Sequence, residues 1–245
     1  MSKVRFLLLS LILTVFASCS SLKEGERQSI KTTSNYNMVL VKGGTITMGT
    51  DENSQNELKL EDFYIGETEV TQALWQEIMG NNPSQFKGND LPVENVSWND
   101  CQVFVQKLNA KTGQKFRLPT EAEWEFAARS KNYKSCAFLD DEMLNTMIQS
   151  LNNNENNKEG IKPHNVMQGE ANEKGLFGME DNVWEWCFDS ECGIMNNNEI
   201  GSEEFKVIKG IVTNNNTPET KYIIRYPFHC RSISSLLGFR LVLDK

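Results

Sequence analysis

Apolar positions along the chain come in short clusters separated by polar turns, not in long periodic runs. Met38–Val41 and Ile46–Met48 flank Gly43-Gly44 and read as a hairpin with a glycine turn. Phe63–Ile65 and Glu67–Val70, divided by Gly66, read as short strands. Leu74, Trp75 and Ile78 share one helical face, which predicts a helix from a Thr71 cap to Met79, closed by Gly80. Val93–Trp98 reads as extended. Val103, Phe104, Val105 and Leu108 then predict a second helix from Asn99 to Thr112, ended by Gly113. After a short strand at Phe116–Leu118, Thr120-Glu121-Ala122-Glu123 has the form of a capping box, so a third helix is expected through Trp124 and Phe126 to Arg129.

Residues 131–172 are rich in Asn and acidic side chains and read as loop, with one helix near Asp140–Leu151. Few helices among many short strands, with no internal repeat, predict one mixed α+β domain.

The amino terminus does not belong to that domain. Lys3 and Arg5 precede an apolar run from Phe6 to Phe16 and small residues before Cys19, the pattern of a cleaved secretory signal over residues 1–18. The run is shorter than the roughly 20 residues that span a bilayer. Its Phe-Ala-Ser-Cys end resembles a bacterial lipobox, which implies that Cys19 becomes a lipidated N-terminus. Residues 19–36 are polar and predict a flexible tether, with the folded domain over 37–245. A lipid-anchored chain in the bacterial envelope, expected at the outer membrane, works where disulfides are permitted.

Composition narrows the chemistry. Of 245 residues, 39% are hydrophobic, enough for a substantial core, and the net charge is −8 with no basic run, so no nucleic-acid partner is expected. Two histidines, His164 and His229, cannot supply a three-imidazole site. With Cys19 as the anchor, Cys101, Cys136, Cys187, Cys192 and Cys230 remain, an odd number that leaves at least one thiol unpaired.

Three segments carry a resemblance. They are Met38-Val-Leu-Val-Lys-Gly-Gly-Thr-Ile-Thr-Met-Gly49 with Glu67-Thr-Glu-Val-Thr-Gln-Ala-Leu-Trp75; Leu91-Pro-Val-Glu-Asn-Val-Ser-Trp-Asn-Asp100 with Phe116-Arg-Leu-Pro-Thr-Glu-Ala-Glu-Trp-Glu-Phe-Ala-Ala-Arg129; and Gly175-Leu-Phe-Gly-Met-Glu-Asp-Asn-Val-Trp-Glu-Trp-Cys187 with Gly238-Phe-Arg-Leu-Val242. In order and spacing the chain resembles the formylglycine-generating enzyme, or sulfatase-modifying factor, domain family. The resemblance implies a C-type-lectin-like α+β fold with much irregular structure. Family members include oxidases that convert a sulfatase cysteine to formylglycine at a copper-binding cysteine pair, iron-dependent sulfoxide-forming enzymes, and non-catalytic surface lipoproteins.

The residues discriminate among these. The cysteine-oxidising members resemble one another in a Cys-x4-Cys pair between an Arg-Gly-Gly-Ser-like strand and the final Gly-Phe-Arg. Here that strand is Phe205-Lys-Val-Ile-Lys-Gly-Ile-Val212, and only Cys230 lies between Val212 and Gly238, so copper loses its site. Cys187 and Cys192 have the same spacing but follow Trp184-Glu185-Trp186, a different part of the pattern, and read as structural thiols or a disulfide. Iron is not expected, for want of imidazoles. Calcium is: by position Gly178 replaces a side-chain ligand, carbonyls fall at Asp181 and Val183, and the carboxylate is Glu185, with Asp181 or Glu180 as replacements for the lost side chain. Arg117 and Glu121–Glu125 look catalytic in isolation, but the family places them in a structural strand and helix, with Glu125 paired to Arg129. Whether the chain is an enzyme stays open between two readings. One is a non-catalytic, membrane-anchored domain that binds a protein or glycan partner or serves an envelope assembly. The other is a formylglycine-generating-type oxidoreductase with a divergent site at Cys230.

Overall fold

The computed structural model describes residues 25–30, 32–49, 56–129, 133–134, 162–190, 193–195, 198–200, 204–214 and 217–245. Cys19 and the signal, the helix predicted near 140–151, Cys136 and Cys192 lie outside the described residues. The elements in chain order are β1 Arg27–Ser29, β2 Asn37–Val41, β3 Gly44–Met48, β4 Asn56–Leu60, β5 Phe63–Gly66, α1 Gln72–Met79, α2 Trp98–Thr112, β6 Phe116–Arg117 and α3 Glu121–Ala128. They continue as β7 Tyr133–Lys134, β8 Trp184–Ser190, β9 Gly193–Met195, β10 Asn198–Ile200, β11 Phe205–Asn214, β12 Thr217–His229, β13 Leu237–Gly238 and β14 Val242–Asp244.

Local chemistry sets the three helices. Thr71 caps α1 by accepting from the Leu74 N–H, and Gly80 ends it in the left-handed conformation at φ 82°. Thr120 and Glu123 form the predicted capping box of α3. The second helix starts one residue earlier than its pattern suggests: Ser97 is the N-cap, boxed with Asp100, so Trp98 is helical and not extended. Asp100 does for Ser97 what Glu123 does for Thr120, a box with a shorter acid.

Two five-stranded sheets carry the rest, in orders β1-β2-β5-β14-β6 and β13-β8-β11-β12-β7; β3-β4 and β9-β10 form separate pairs. The predicted hairpin between Met38–Val41 and Ile46–Met48 does not form. β2 pairs with β1 and β5, while β3 pairs with β4. The unbroken apolar run of β2 explains this. Met38 and Leu40 enter one core cluster and Val39 and Val41 the other, so the strand needs cover on both faces and neighbours on both edges. Glu67–Val70 is likewise bent chain and not a strand.

The fold also begins before the predicted Asn37. β1 pairs with β2 from Arg27 to Ser29, and Ile30 and Tyr36 are buried, with the Tyr36 hydroxyl donating to the Thr68 carbonyl at 2.8 Å. Polar residues 27–29 join through backbone bonds, which side-chain polarity does not reveal. The last part of the predicted tether is therefore an edge strand.

The core has two parts. α1 and α2 pack with Trp186, Ile208, Ile224, Phe239 and Leu241 on one side; Trp75 stacks on Phe104 at 5.2 Å there. α3 packs with Cys187, Val207, Ile223, Val39 and Ile65 on the other.

Candidate functional site

Between these two clusters lies a buried polar centre. Glu185 on β8 and Arg240 just before β14 are both fully buried. Arg240 Nη2 donates to Glu185 Oε1 and Nε to Oε2, each at 2.7 Å, and Trp124 Nε1 adds a third bond to Oε2 at 2.8 Å. The remaining guanidinium donors reach the Gly66 and Phe177 carbonyls at 3.1 and 2.9 Å. Every charge in this pair is compensated, the condition under which a buried ion pair is tolerated.

Glu69 stands beside it, also with no exposed surface. Its Oε1 accepts from Asn182 Nδ2 at 3.0 Å, but its Oε2 has no hydrogen-bond partner. Burial pushes the Glu69 carboxyl up to about 8, only partly offset by the Arg240 charge and raised further by Glu185. The carboxylate presses on Gly178, where a Cβ would lie 2.3 Å from Oε1, and φ there is +67°. The side chain that the calcium-loop resemblance finds missing at 178 thus leaves its space to the carboxylate of Glu69.

Of the calcium ligands expected here, the Glu185 carboxylate is engaged within the fold, whereas Asp181 and Val183 were expected to contribute backbone carbonyls. Glu185 spends both oxygens on Arg240 and Trp124. Asp181 is exposed and turned to His164, whose Nε2 lies 3.2 Å from Asp181 Oδ2. Val183 is buried beside β8. Among the described residues no cluster of three or more His, Cys, Asp or Glu forms a metal-binding group. Among the buried side chains described at this loop, Oε2 of Glu69 is an oxygen with no hydrogen-bond partner, the kind of donor a hard cation takes.

A second buried ion pair lies on the α3 side. Lys209 of β11, fully buried, donates to Glu125 Oε2 at 2.7 Å, and Arg129 holds Oε1 at 2.5 Å, the predicted i,i+4 pair with an added partner. Burial pushes the Glu125 carboxyl up, but Lys209 and Arg129 outweigh it and hold it below its usual range. Arg117 grips Glu123 with two bonds of 2.7 Å and also reaches Asp244, and Glu121 pairs with Arg225 at 2.6 Å.

The thiols are dispersed. Cys101, Cys187 and Cys230 are free and buried. Burial drives the Cys101 and Cys187 thiols well above their ordinary range, which makes them poor nucleophiles and metal ligands. Cys230 follows the last residue of β12; its N–H donates to the Glu204 carbonyl at 2.7 Å, and its carbonyl accepts from Asn99 N–H. The neighbouring His229 ring packs edge-on against Phe205 at 5.5 Å, and its Nδ1 accepts from the Arg231 N–H.

Glu69, Asn182, Arg240 and Lys209 were not singled out from the sequence. Three signals were present: a second acid two residues after Glu67 in the turn before α1, an Arg inside Gly-Phe-Arg-Leu-Val, and a Lys at the inward parity of a strand. None names its partner.

Two five-stranded sheets and three helices, with a buried ion pair between β8 and the chain before β14, define an α+β domain, and the same architecture occurs in Treponema denticola variable protein 1. That structure is 24% identical, with 90% of this chain and 99% of that one covered, at a TM-score of 0.67. The family described as Sulfatase-modifying factor enzyme 1-like domain matches residues 23–245, and the chain belongs to it. The protein named Chaperone protein LppX from Paenibacillus barcinonensis is 32% identical over 87% of this chain and 91% of its own length. The bovine protein named Inactive C-alpha-formylglycine-generating enzyme 2 is 31% identical over 48% of this chain and 39% of its own, so that match spans under half of either. Among the described residues no helix is long and apolar enough to cross a membrane.

Proposed function

We propose that this chain is a binding member of the sulfatase-modifying-factor family, held in the bacterial envelope by lipid on Cys19, whose partner is another protein. The observation that carries the reading is the single cysteine, Cys230, in the segment between Val212 and Gly238 where cysteine-oxidising members carry two. A Cu(I) site made of one thiolate has neither the second soft ligand nor the electron pair that a cysteine couple brings to oxygen. The relative named a chaperone, matched over most of its length, supports a protein partner over a glycan. The same reading gives the 178–185 loop a calcium ion with Glu69 as its carboxylate ligand. A Ca2+ ion would there supply the positive charge that Oε2 of Glu69 lacks.

The test is direct. The purified chain is incubated with copper, oxygen and a Cys-x-Pro-x-Arg peptide, and the peptide is weighed. An unchanged mass is expected. Conversion of the cysteine to formylglycine, lost in Cys230→Ser, overturns the binding reading in favour of an oxidase working from one thiol.

A further inference from the structure

The α1/α2-facing side of the β8-β11-β12 sheet is incompletely covered at one end. Register places Lys206 opposite Phe228 and Ile208 opposite Tyr226, so Lys206, Tyr226 and Phe228 share that face. Phe228 packs on Trp186 at 5.8 Å and lies 6.5 Å from Tyr226, both rings only partly buried. Trp98, the first residue of α2, donates its Nε1 to the Cys187 carbonyl at 2.9 Å, which fixes its ring at the edge of the sheet. Phe188 follows on β8, 51% exposed and 6.5 Å from the Trp98 ring. The result is a run of aromatic side chains from Tyr226 to Phe188, anchored beneath and open above. Clustered exposed aromatic surface of this kind marks a contact site more often than a solvated face.

One cation sits in it. Lys206 Nζ lies 4.4 Å over the Trp98 ring and donates to the Ser190 hydroxyl at 2.5 Å. Among the described residues no carboxylate pairs with it, whereas Lys42, Lys111, Lys209 and Lys245 each bind an acid. On a chain of net charge −8, an ammonium fixed on an aromatic platform without an acid is a local reversal of sign. It is held by a ring and a hydroxyl, so an incoming carboxylate finds it already positioned and partly desolvated.

We infer that the Tyr226–Phe228–Trp98–Phe188 face, with Lys206 at its centre, is the docking surface for a segment of the partner protein that presents a carboxylate between apolar side chains. This rests on the binding-domain reading and adds the partner's chemistry to it. Apolar side chains of the segment lie on Phe188 and Phe228; its carboxylate meets Lys206.

Two probe peptides test it by fluorescence anisotropy with the full chain: acetyl-Glu-Phe-Asp-Leu-Glu-amide and the basic acetyl-Lys-Phe-Lys-Leu-Lys-amide. The acidic probe is expected to bind at least about tenfold tighter than the basic one, and to weaken as salt rises. Lys206→Glu and Phe188→Ser are each expected to weaken it by about tenfold. Both positions are at the surface, so thermal melting of each variant confirms that the fold is kept. Equal binding of the two probes, wild-type affinity in both variants, no binding at millimolar probe, or preference for a sulfated oligosaccharide overturns the inference. A failure here with no formylglycine formed in the peptide assay removes only the surface. Formylglycine formation removes the binding reading beneath it.

Discussion

Two glutamates at the centre of this domain have the same burial and opposite circumstances. Glu185 is met by a guanidinium in two-point contact and by an indole N–H. Glu69, close enough to feel both Arg240 and Glu185, keeps one oxygen with no donor. A carboxylate out of water is tolerable where its charge is answered and costly where it is not. Glu185 is therefore a structural pin joining β8 to the strand end before β14. Glu69 is a group that the fold leaves incomplete, with a backbone loop pressed against it at Gly178.

The comparison breaks most severely at Arg240. Arg240→Met strands Glu185 and two backbone carbonyls, and about 3–5 kcal/mol of stability is expected to go, read as a fall in the urea midpoint. Adding Glu185→Met should restore a large part, because two well-packed apolar side chains need no counter-charge. A double variant no better than the single one would show that Arg240 acts through its carbonyl contacts instead.

An intermediate loss is expected at Lys209→Met. Glu125 keeps Arg129, so its charge is still answered, and about 1–3 kcal/mol is expected to go by the same measurement. A loss equal to that of Arg240→Met would remove the distinction between a charge that keeps a counter-ion and one that loses it.

The effect that sharpens the contrast, absent at low pH and growing with it, is at Glu69→Gln. The folded carboxyl titrates near 8, well above its ordinary 4.5. Between those values the unfolded chain has released its proton and the folded chain still holds it, so wild-type stability declines as pH rises and levels off above 8. Gln carries no such proton. The variant is therefore expected to match wild type near pH 5 and to exceed it increasingly as pH rises to 8, in melts followed across pH. Millimolar Ca2+ at pH 8 should reverse the order, raising the wild-type Tm and leaving Glu69→Gln unmoved. A wild-type Tm indifferent to both Ca2+ and EGTA removes the ion from the proposed function.

Helix ends were legible in the sequence because their determinants are local. Thr71, Gly80, Gly113 and Thr120 each act within four residues of themselves. Strand existence was legible too, at β5, β6 and the start of β2. Partnering was not: the Gly43-Gly44 turn between β2 and β3 looks like a hairpin turn, yet the Gly43 N–H is spent on the Asp62 carboxylate at 3.0 Å and the strands go to different sheets. The candidate site shows the same division. Glu185 stands out by family position, but its partner Arg240, 55 residues along the chain, does not follow from that position.

By itself the sequence determined the family, the three helices and the missing second cysteine, since motif order, capping chemistry and residue counts depend only on neighbours in the chain. Tertiary structure decided which buried charges are answered. Ion pairing in a low-dielectric core depends on ångström separations between groups brought together across two sheets, and no spacing along the chain encodes those. That is why Glu69 and Glu185, both plain acids in the sequence, part company only in the folded molecule.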